Sequence, residues 1–294
     1  MNNTQDELKG WLKEIIGEFI MSSSENTLKD PLNEKAWDGF LLGFSSGDDP
    51  LYDEYKGHVG PFHWTPSEIF SLTYPDLKFK AGDLTVISWI LPQRKAVRHD
   101  NRESKLYPAE RWVRSRIFGE KFNQKLRGHV AASLIERGYE AVSPMLSPFW
   151  ERRVSEKYGY ASTWSERHAA YASGLGTFGL SDGLITPLGK AMRAGSVVAK
   201  IKIPPTPRPY TDHHAYCLFF SHGICGKCIS RCPVGAITEK GHDKESCREH
   251  VKVTVGEYVK SIYGFDGYGC GLCQTAVPCE SKIPMPADVE NQAS

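Results

Sequence analysis

The stretch CGKCISRCPVGAI, residues 225–237, arranges three cysteines and a proline with the spacing C-x2-C-x3-C-P. This is the end of the bacterial ferredoxin motif C-x2-C-x2-C-x3-C-P, in which the cysteine before the proline ligates a second iron–sulfur cluster. A complete motif would place its first cysteine at position 222, where this sequence has His222. Cys217 is the expected substitute, supplied by a longer loop, and His222 as a nitrogen ligand is the alternative.

The eight cysteines of the sequence all lie between residues 217 and 279, and they divide into two sets of four with none left over. The last three have the spacing C-x2-C-x5-C. Because the cysteine of a Cys-Pro pair ligates the other cluster, the sequence predicts which thiolates hold each [4Fe–4S] cluster. The first ligand set is Cys217, Cys225, Cys228 and Cys279, and the second is Cys232, Cys247, Cys270 and Cys273.

Structural zinc is the alternative interpretation, because two C-x2-C pairs also suit a zinc ribbon. In this sequence 41 residues separate the two pairs, and four further cysteines need a role. The Cys-Pro dipeptide is also typical of ferredoxins. Two [4Fe–4S] clusters, and with them electron transfer, are therefore the favoured interpretation.

The composition is that of an ordinary globular protein with no bias toward nucleic acid or membranes. The 294 residues are 40% hydrophobic and 24% charged, with a formal net charge of +1, so we expect no general attraction to polyanions. The N-terminus opens polar and acidic without a signal peptide or twin-arginine motif, and no apolar run reaches the ~18 residues of a membrane span. Clustered cysteines are typical of metal ligands in a reducing compartment. We therefore expect a cytoplasmic location.

Periodicity predicts a mixed body of helices and strands in front of the cysteines. The predicted strands lie at 84–92 and 195–205, and the predicted helices at 107–138 and 165–174. The proline-rich stretch 204–209 is the expected linker. We therefore expect two domains, residues 1–209 and residues 210–294.

A basic segment at 94–116 contains eight lysines and arginines with three acidic residues among them. Mixed charge of this kind is typical of a solvated loop and helix face. An anion-binding role is the alternative interpretation of this segment.

The segment that leads into the cysteines, WSERHAAYASGLGTFGLSDGLITPLGKAMRAGSVVAKIKIPPTP at 164–207, resembles epoxyqueuosine reductase. That family has an E-R pair, a helix, A-G-L-G-x-x-G, an N-L-I-x-P stretch, a strand and a proline-rich lead into two [4Fe–4S] clusters. The resemblance runs from about residue 120 to residue 279. The family is related to the reductive dehalogenases, and both use cobalamin.

The resemblance implies an α+β fold, with a nitroreductase-like cobalamin-binding domain followed by a ferredoxin-like module that holds two [4Fe–4S] clusters. It also implies base-off cobalamin, and the sequence has no Asp-x-His-x-x-Gly motif to supply a lower histidine ligand. The family's glycine segment corresponds to Gly174, Gly176 and Gly179, where the absence of Cβ lets backbone approach a flat ligand. Together with Leu184, these glycines are the predicted cofactor-binding residues.

The resemblance also suggests a proton donor. In epoxyqueuosine reductase an aspartate lies seven residues before the arginine of the E-R pair; here that arginine is Arg167, and Tyr160 occupies the earlier position. Reductive dehalogenases use a tyrosine donor with a basic neighbour that lowers its pKa. Tyr160 and Arg167 are therefore the predicted catalytic pair, with Tyr158 as a rival donor and plain packing as another role for Tyr160.

The expected function is a cytoplasmic cobalamin-dependent reductase of a small molecule with an organohalide or epoxide-like group. Electrons would come from an external low-potential donor, ferredoxin or flavodoxin, and pass through the clusters to cobalamin. One alternative is an electron-transfer protein that reduces a separate corrinoid protein, and another is an epoxyqueuosine reductase that acts on tRNA. Only fifteen residues follow Cys279, so we expect neither the helical-repeat domain of epoxyqueuosine reductase nor a nucleic-acid partner.

Overall fold

Helices and short strands are interleaved along the chain, and the structure, a computed structural model, describes them for residues 2–290. The strands are β1 (Leu41–Ser46), β2 (Thr85–Pro92), β3 (Ala141–Val142), β4 (Arg152–Ser155), β5 (Gly159–Ser162), β6 (Thr177–Phe178), β7 (Leu184–Ile185), β8 (Met192–Ala199), β9 (Ile237–Thr238) and β10 (Gly241–His242). The α-helices are α1 (Asn2–Ser22), α2 (Leu51–His58), α3 (Pro66–Thr73), α4 (Lys95–Glu103), α5 (Glu110–Arg114), α6 (Glu120–Glu136), α7 (Glu166–Ala172), α8 (Leu218–His222), α9 (Lys227–Ser230), α10 (Lys244–Glu249), α11 (Val255–Tyr258) and α12 (Ala287–Glu290). None of these described helices is both long enough and apolar enough to cross a bilayer.

The largest sheet of the described residues has four strands in the order β1-β2-β8-β3, and each neighbouring pair is antiparallel. Its inner strand β2 confirms the strand predicted at 84–92. Successive residues of β2 point to opposite faces, so that Trp89 lies in one core and Ile90 in the other. Both faces are buried, which explains why this strand is apolar along most of its length.

Helices α1 and α6 cover the face of the sheet that carries Trp89. Leu12 and Ile16 of α1 are fully buried there, and so are Leu126 and Val130 of α6. Both helices have apolar residues three or four positions apart, which places them on a single stripe that faces the sheet.

Helices α2, α3 and α7 cover the opposite face. Tyr52 of α2, Phe70 of α3 and Ala170 of α7 are buried against Val198 of the sheet. The sheet is therefore the middle layer between two layers of helices. This mixed architecture agrees with the α and β content expected from the sequence.

The long helix predicted at 107–138 is confirmed, with two differences. It begins at Glu110, and a π-helical turn at Ser115–Gly119 separates α5 from α6. It ends before Gly138, whose φ of +87° suits a glycine that follows a helix. Such π-helical turns are frequent at functional sites, and this one carries Arg116.

The next two predicted elements are present with shifted bounds. Helix α7 confirms the helix predicted at 165–174. The strand predicted at 195–205 is observed as β8, which begins and ends several residues earlier. The chain leaves the sheet after β8, although Ile201 and Ile203 stay buried, and burial without strand pairing is why the apolar pattern continues beyond the strand.

The cysteine module, residues 210–290, follows a stretch without regular structure between residues 201 and 210. It is fixed to the rest of the chain by α4. Glu280 is 2% exposed and accepts two hydrogen bonds from Arg102, each 2.7 Å long. Arg231 of the module donates in return to the Asn101 carbonyl at 3.0 Å. A division into domains at 209/210 stays a prediction.

Candidate functional site

Four of the eight cysteines line a small cavity, here called the first cavity. Its volume is about 20 Å³. The cysteines that line it are Cys217, Cys225, Cys228 and Cys279. Apolar side chains such as Leu180, Leu218 and Val277 close the rest of its surface. The structure therefore brings together the four residues that the sequence predicts for one cluster.

Short helices and a facing backbone segment position these thiols. Cys217 immediately precedes α8, and Cys228 lies within α9. From the other side, the Cys279 carbonyl accepts a hydrogen bond from the Lys190 backbone N–H at 2.8 Å. His222, the alternative ligand, is exposed on α8 and does not line the cavity. The geometry favours Cys217 over His222.

Lys190 is buried between the two cysteine sets. It is 3% exposed, and its Nζ donates to the Ser181 hydroxyl at 3.1 Å. Burial disfavours its charge, but the thiolates of Cys279, Cys228 and Cys273 outweigh burial and raise the pKa of Lys190. Lys190 therefore remains positively charged when the surrounding thiolates form.

The other four cysteines line a larger cavity, here called the second cavity. Its volume is about 250 Å³. The cysteines that line it are Cys232, Cys247, Cys270 and Cys273. The rest of the chain also contributes, through Gln93, Trp112 and Met192. The second predicted ligand set thus surrounds a single space, which the cysteine module shares with the sheet and its helices.

The charged lining of the second cavity is cationic. Arg116, Arg167 and Arg193 line it, and no Asp or Glu occurs among its described lining residues. Burial, and then the neighbouring Arg116, lower the pKa of Arg193 to about 9. His242 and His250 also line the cavity, and the buried Nε2 of each has no hydrogen-bond partner in the described chain. Unpaired buried polar atoms are rare in folded proteins, so these groups are suited to a bound partner.

The thiols of both cavities are buried or partly buried. Burial raises the pKa of Cys228 to about 11 and the pKa of Cys270 to about 12. Because thiolates are the iron ligands, loading a cluster would release these protons. Among the described residues, no three His, Cys, Asp or Glu side chains converge closely enough to hold a single metal ion.

Tyr160 and Arg167, the predicted catalytic residues, do not form the expected pair. The ring of Tyr160 lies 4.8 Å from the guanidinium of Arg152 and 5.4 Å from that of Arg248. Arg167 instead donates to a backbone carbonyl and lines the second cavity, which Tyr160 does not. Tyr160 lies in β5 and Arg167 in α7, where they have different neighbours, and their catalytic roles stay a prediction. Tyr158, the rival donor, is 42% exposed and does not line the cavity either.

The predicted cofactor-binding glycines lie against the protein itself. A Cβ on Gly174 would lie 2.7 Å from the Pro207 carbonyl oxygen, and one on Gly176 would lie 2.2 Å from that of Ile185. Leu184 is fully buried in the core next to the sheet. Close packing of backbone on backbone accounts for the absence of side chains at Gly174 and Gly176, and a role of these residues in binding a flat ligand stays a prediction.

Neither cysteine cavity is large enough to enclose a cobalamin. Gly179 lines the first cavity, beside the cysteines, and even the second cavity has only about 250 Å³. Drug-sized ligands, which are smaller than a corrinoid, occupy pockets of roughly 300–1,000 Å³. The two cavities thus offer the thiol donors of iron–sulfur clusters, and neither has the volume to enclose a cobalamin.

Glu166, the glutamate of the E-R pair, is part of a buried ion network. It accepts hydrogen bonds from Arg127 Nε at 2.8 Å and from the Ser196 hydroxyl. Arg127 is 2% exposed and also donates to Glu120 at 2.9 Å. Burial raises the pKa of Glu166 despite the opposing effect of Arg127. The network joins α6, α7 and β8, so the role of Glu166 is structural.

Sequence reasoning missed the cationic and imidazole lining of the second cavity. Arg116 belongs to the basic segment 94–116, for which anion binding was only the alternative. Most other cations of that segment form ion pairs within the chain, as Arg102 does. No sequence motif marks Arg193 or His250 as part of a site, because only the folded chain brings them close to the cysteines.

Comparison with known proteins identifies relatives for part of the chain. No protein-family model matches it. The epoxyqueuosine reductase of Bacillus anthracis is 32% identical over 119 residues, which cover 39% of this chain and 29% of that protein. The epoxyqueuosine reductase of Bacillus cereus matches to the same extent, 32% over 119 residues. The match thus spans less than a third of the length of these curated relatives.

Solved structures of reductive dehalogenases share the fold. A catabolic reductive dehalogenase in complex with 3-bromo-4-hydroxybenzoic acid has a TM-score of 0.53 at 14% identity, covering 96% of this chain and 38% of that one. A reductive dehalogenase whose structure suggests a mechanism for B12-dependent dehalogenation has a TM-score of 0.51 at 13% identity, covering 86% and 31%. At this identity the likeness concerns the fold. Together with the sequence match, it confirms the resemblance seen in the sequence.

Proposed function

We propose that this chain, an epoxyqueuosine reductase and reductive dehalogenase-like protein, is a two-cluster iron–sulfur reductase that transfers electrons to a small molecule in the second cavity. The observation that carries the proposal is the contrast between the two cavities. Both are lined by four cysteines, but the second has the larger volume, about 250 Å³ against about 20 Å³, and is lined by the unpaired nitrogen atoms of His242 and His250. A protein that only transfers electrons would need two closed sites like the first cavity.

The residues of both cavities fit the clusters, which when bound supply one-electron transfer. Each cavity offers four cysteines, the full ligand set of a [4Fe–4S] cluster. In the first cavity Leu180 and Val277 keep water from the thiolates, and Lys190 balances part of their negative charge. We propose an external low-potential donor, ferredoxin or flavodoxin, as the source of electrons.

The residues of the second cavity are suited to hold a substrate and its proton. Arg116 and Arg193 offer hydrogen-bond donors next to the cysteines. His242 and His250 are the imidazoles of this lining, and imidazole is the side chain that most often transfers protons near neutral pH. Organohalide- and epoxide-like groups, whose reduction consumes protons, remain the proposed substrate types.

A second candidate is the reduction of epoxyqueuosine in tRNA with cobalamin as the cofactor. The 32% identity over 119 residues to an epoxyqueuosine reductase favours it. The net charge of +1 gives the chain little general attraction to RNA. Since neither cysteine cavity has the volume for cobalamin, this candidate also requires a binding surface elsewhere or a rearrangement.

Anaerobic reconstitution with iron, sulfide and hydroxocobalamin, followed by gel filtration and metal analysis, separates the candidates. We expect about eight irons per chain and no co-eluting cobalt. Small organohalides or epoxides should then reoxidise the reduced protein. The change in visible absorption of the clusters measures this reoxidation. Co-eluting cobalt would contradict the proposal and favour the second candidate. The second candidate is then tested by asking whether the chain restores queuosine in cells that lack epoxyqueuosine reductase. Reoxidation by a separate corrinoid protein alone would favour an electron-transfer role.

A further inference from the structure

We infer that the second cavity binds a small organic anion, with a carboxylate held by its arginines beside the second cysteine set. The inference rests on the proposed function and specifies the substrate class for the same site. It concerns recognition and adds no chemical step of its own.

The cations of the cavity come from three separate elements and are poorly neutralised. Arg116 lies in the π-helical turn, Arg167 in α7 and Arg193 in β8. Arg116 and Arg167 form no ion pair with any described residue. Arg193 lies 3.7 Å from Glu120, a carboxylate that already accepts a 2.9 Å hydrogen bond from Arg127. Three guanidinium groups therefore face one space, and the two carboxylates near them, Glu120 and Asp182, already have other partners. Such guanidinium forks match a ligand carboxylate.

Two imidazoles add unsatisfied nitrogen atoms to the same lining. His250 is 6% exposed, and its Nε2 has no partner in the described chain. His242 bonds through Nδ1 to the Asp182 carboxylate at 3.2 Å, which leaves its buried Nε2 without a partner. Buried polar atoms normally have partners. Such a nitrogen atom donates to an anionic oxygen when it carries hydrogen, which at His242 requires the doubly protonated ring because Nδ1 faces the Asp182 carboxylate.

The charge of a cluster does not by itself account for this lining. The first cavity has the same number of cysteines, yet Lys190 is the one Lys, Arg or His in its described lining. It also has about 20 Å³ of volume against about 250 Å³ in the second cavity. The additional arginines and volume occur together at one of the two sites, so both are explained by a ligand that binds there.

Lys252 and Tyr268 are sequence neighbours of the lining residues Val251 and Gly269; together with Arg116 they are here called the rim of the second cavity, where positive charge continues. Arg116 lies 5.0 Å from the ring centroid of Tyr268, and Lys252 lies 3.1 Å from the same centroid. The two cations, together with the more distant Arg152, lower the pKa of Tyr268 although burial opposes this. A positive rim of this kind would attract an anion toward the cavity.

The test compares two probes of similar shape, 3-chlorobenzoate with a charged carboxylate and 3-chlorobenzamide with a neutral amide in its place. Isothermal titration calorimetry on the reconstituted protein should show that the carboxylate binds about tenfold more tightly than the amide. The Arg116→Gln variant should lose about tenfold in affinity for the carboxylate and little for the amide. Arg137→Gln, whose arginine stacks on Trp11 far from the cysteines, is the matched control and should bind both probes as the wild type does. The bound carboxylate should also change the electron paramagnetic resonance spectrum of one reduced cluster.

Iron content and cluster reduction are measured in the same samples, which separates two kinds of failure. Reducible clusters with equal affinity for both probes would overturn the inference and leave the proposed function standing. The same carboxylate preference in wild type and Arg116→Gln would also overturn it, because the anion would then bind elsewhere. If Arg116→Gln loses its clusters, Arg116→Lys replaces it in the test. This variant keeps the positive charge but not the planar guanidinium, so it should retain part of the preference for the carboxylate probe. An unchanged preference in Arg116→Lys would contradict a bidentate site.

Discussion

The first and second cavities carry the same number of cysteines and differ in volume, charge and surroundings. The first has about 20 Å³ and an apolar lining with Lys190 as its cation. The second has about 250 Å³ and a lining with three arginines and two histidines. The number of ligands therefore does not distinguish an electron relay from a reaction site. The residues around the ligands do, because they determine whether water, charge and a second molecule have access.

Their places in the fold explain this difference. The first cavity lies among the short helices α8 and α9, the Cys279 segment and the loop that ends at Lys190. The second lies where the cysteine module meets β8 and the π-helical turn at Ser115–Gly119, so the main sheet contributes to its wall. Ligand sites commonly occur between two such units, where side chains from both converge.

The largest expected effect tests the assignment of cysteines to cavities. Cys228→Ser should remove the first cluster and Cys232→Ser the second, although the two cysteines are only four residues apart. In each variant the iron content should fall from about eight to about four per chain. Electron paramagnetic resonance of the reduced proteins identifies which cluster remains, and each variant is the control for the other. Loss of the same cluster in both variants would contradict the assignment.

The next effect tests how the module is held to the rest of the chain. Glu280→Gln removes a buried carboxylate that accepts hydrogen bonds from Arg102 and lies next to Cys279. We expect a loss of about 3 kcal/mol in the free energy of unfolding, measured by urea denaturation of the metal-free protein. Glu68→Gln breaks the more exposed pair with Lys56 and should cost less than about 1 kcal/mol. Equal losses in the two variants would show that Glu280 does not anchor the module.

The sequence was most informative where chemistry depends on local spacing. The cysteine intervals predicted which four cysteines line each cavity, and apolar periodicity predicted β2 and the long helix through α6. The glycine spacing does not distinguish a ligand from backbone, since Gly174 and Gly176 have the same spacing whichever of the two lies against them. The lining of the second cavity was not predictable. Arg116, Arg193 and His250 are far apart along the chain and meet only through the packing of α5–α6, β8 and the module.

The pH dependence of the stability of the metal-free protein tests a feature that the two cavities share, the burial of their thiols. Burial raises the pKa of Cys228 and of Cys247 to about 11 from an ordinary value of 9.0. The folded state then keeps protons that the unfolded chain releases, so stability is full below pH 9 and declines as the pH rises toward 11. Each thiol should contribute on the order of 2 kcal/mol to this decline. Urea midpoints at three pH values should fall less in Cys228→Ala and in Cys247→Ala; an unchanged slope in both would mean that these thiols already ionise in the folded protein.

The smallest expected effect concerns Lys190, the cation nearest the first cavity. It is 3% exposed and faces Cys279 and Cys228 of the first set more strongly than Cys273 of the second. Removing its charge in Lys190→Met should disfavour the reduced first cluster and lower its midpoint potential by tens of millivolts, with a smaller shift at the second cluster. Lys202→Met, which removes an exposed lysine paired with Asp83, should change neither potential. Redox titrations followed by electron paramagnetic resonance measure both clusters in one sample. A larger shift of the midpoint potential at the second cluster would reverse the assignment of Lys190 to the first cavity. In that case the arginines alone would distinguish the electrostatics of the electron-transfer site from those of the reaction site.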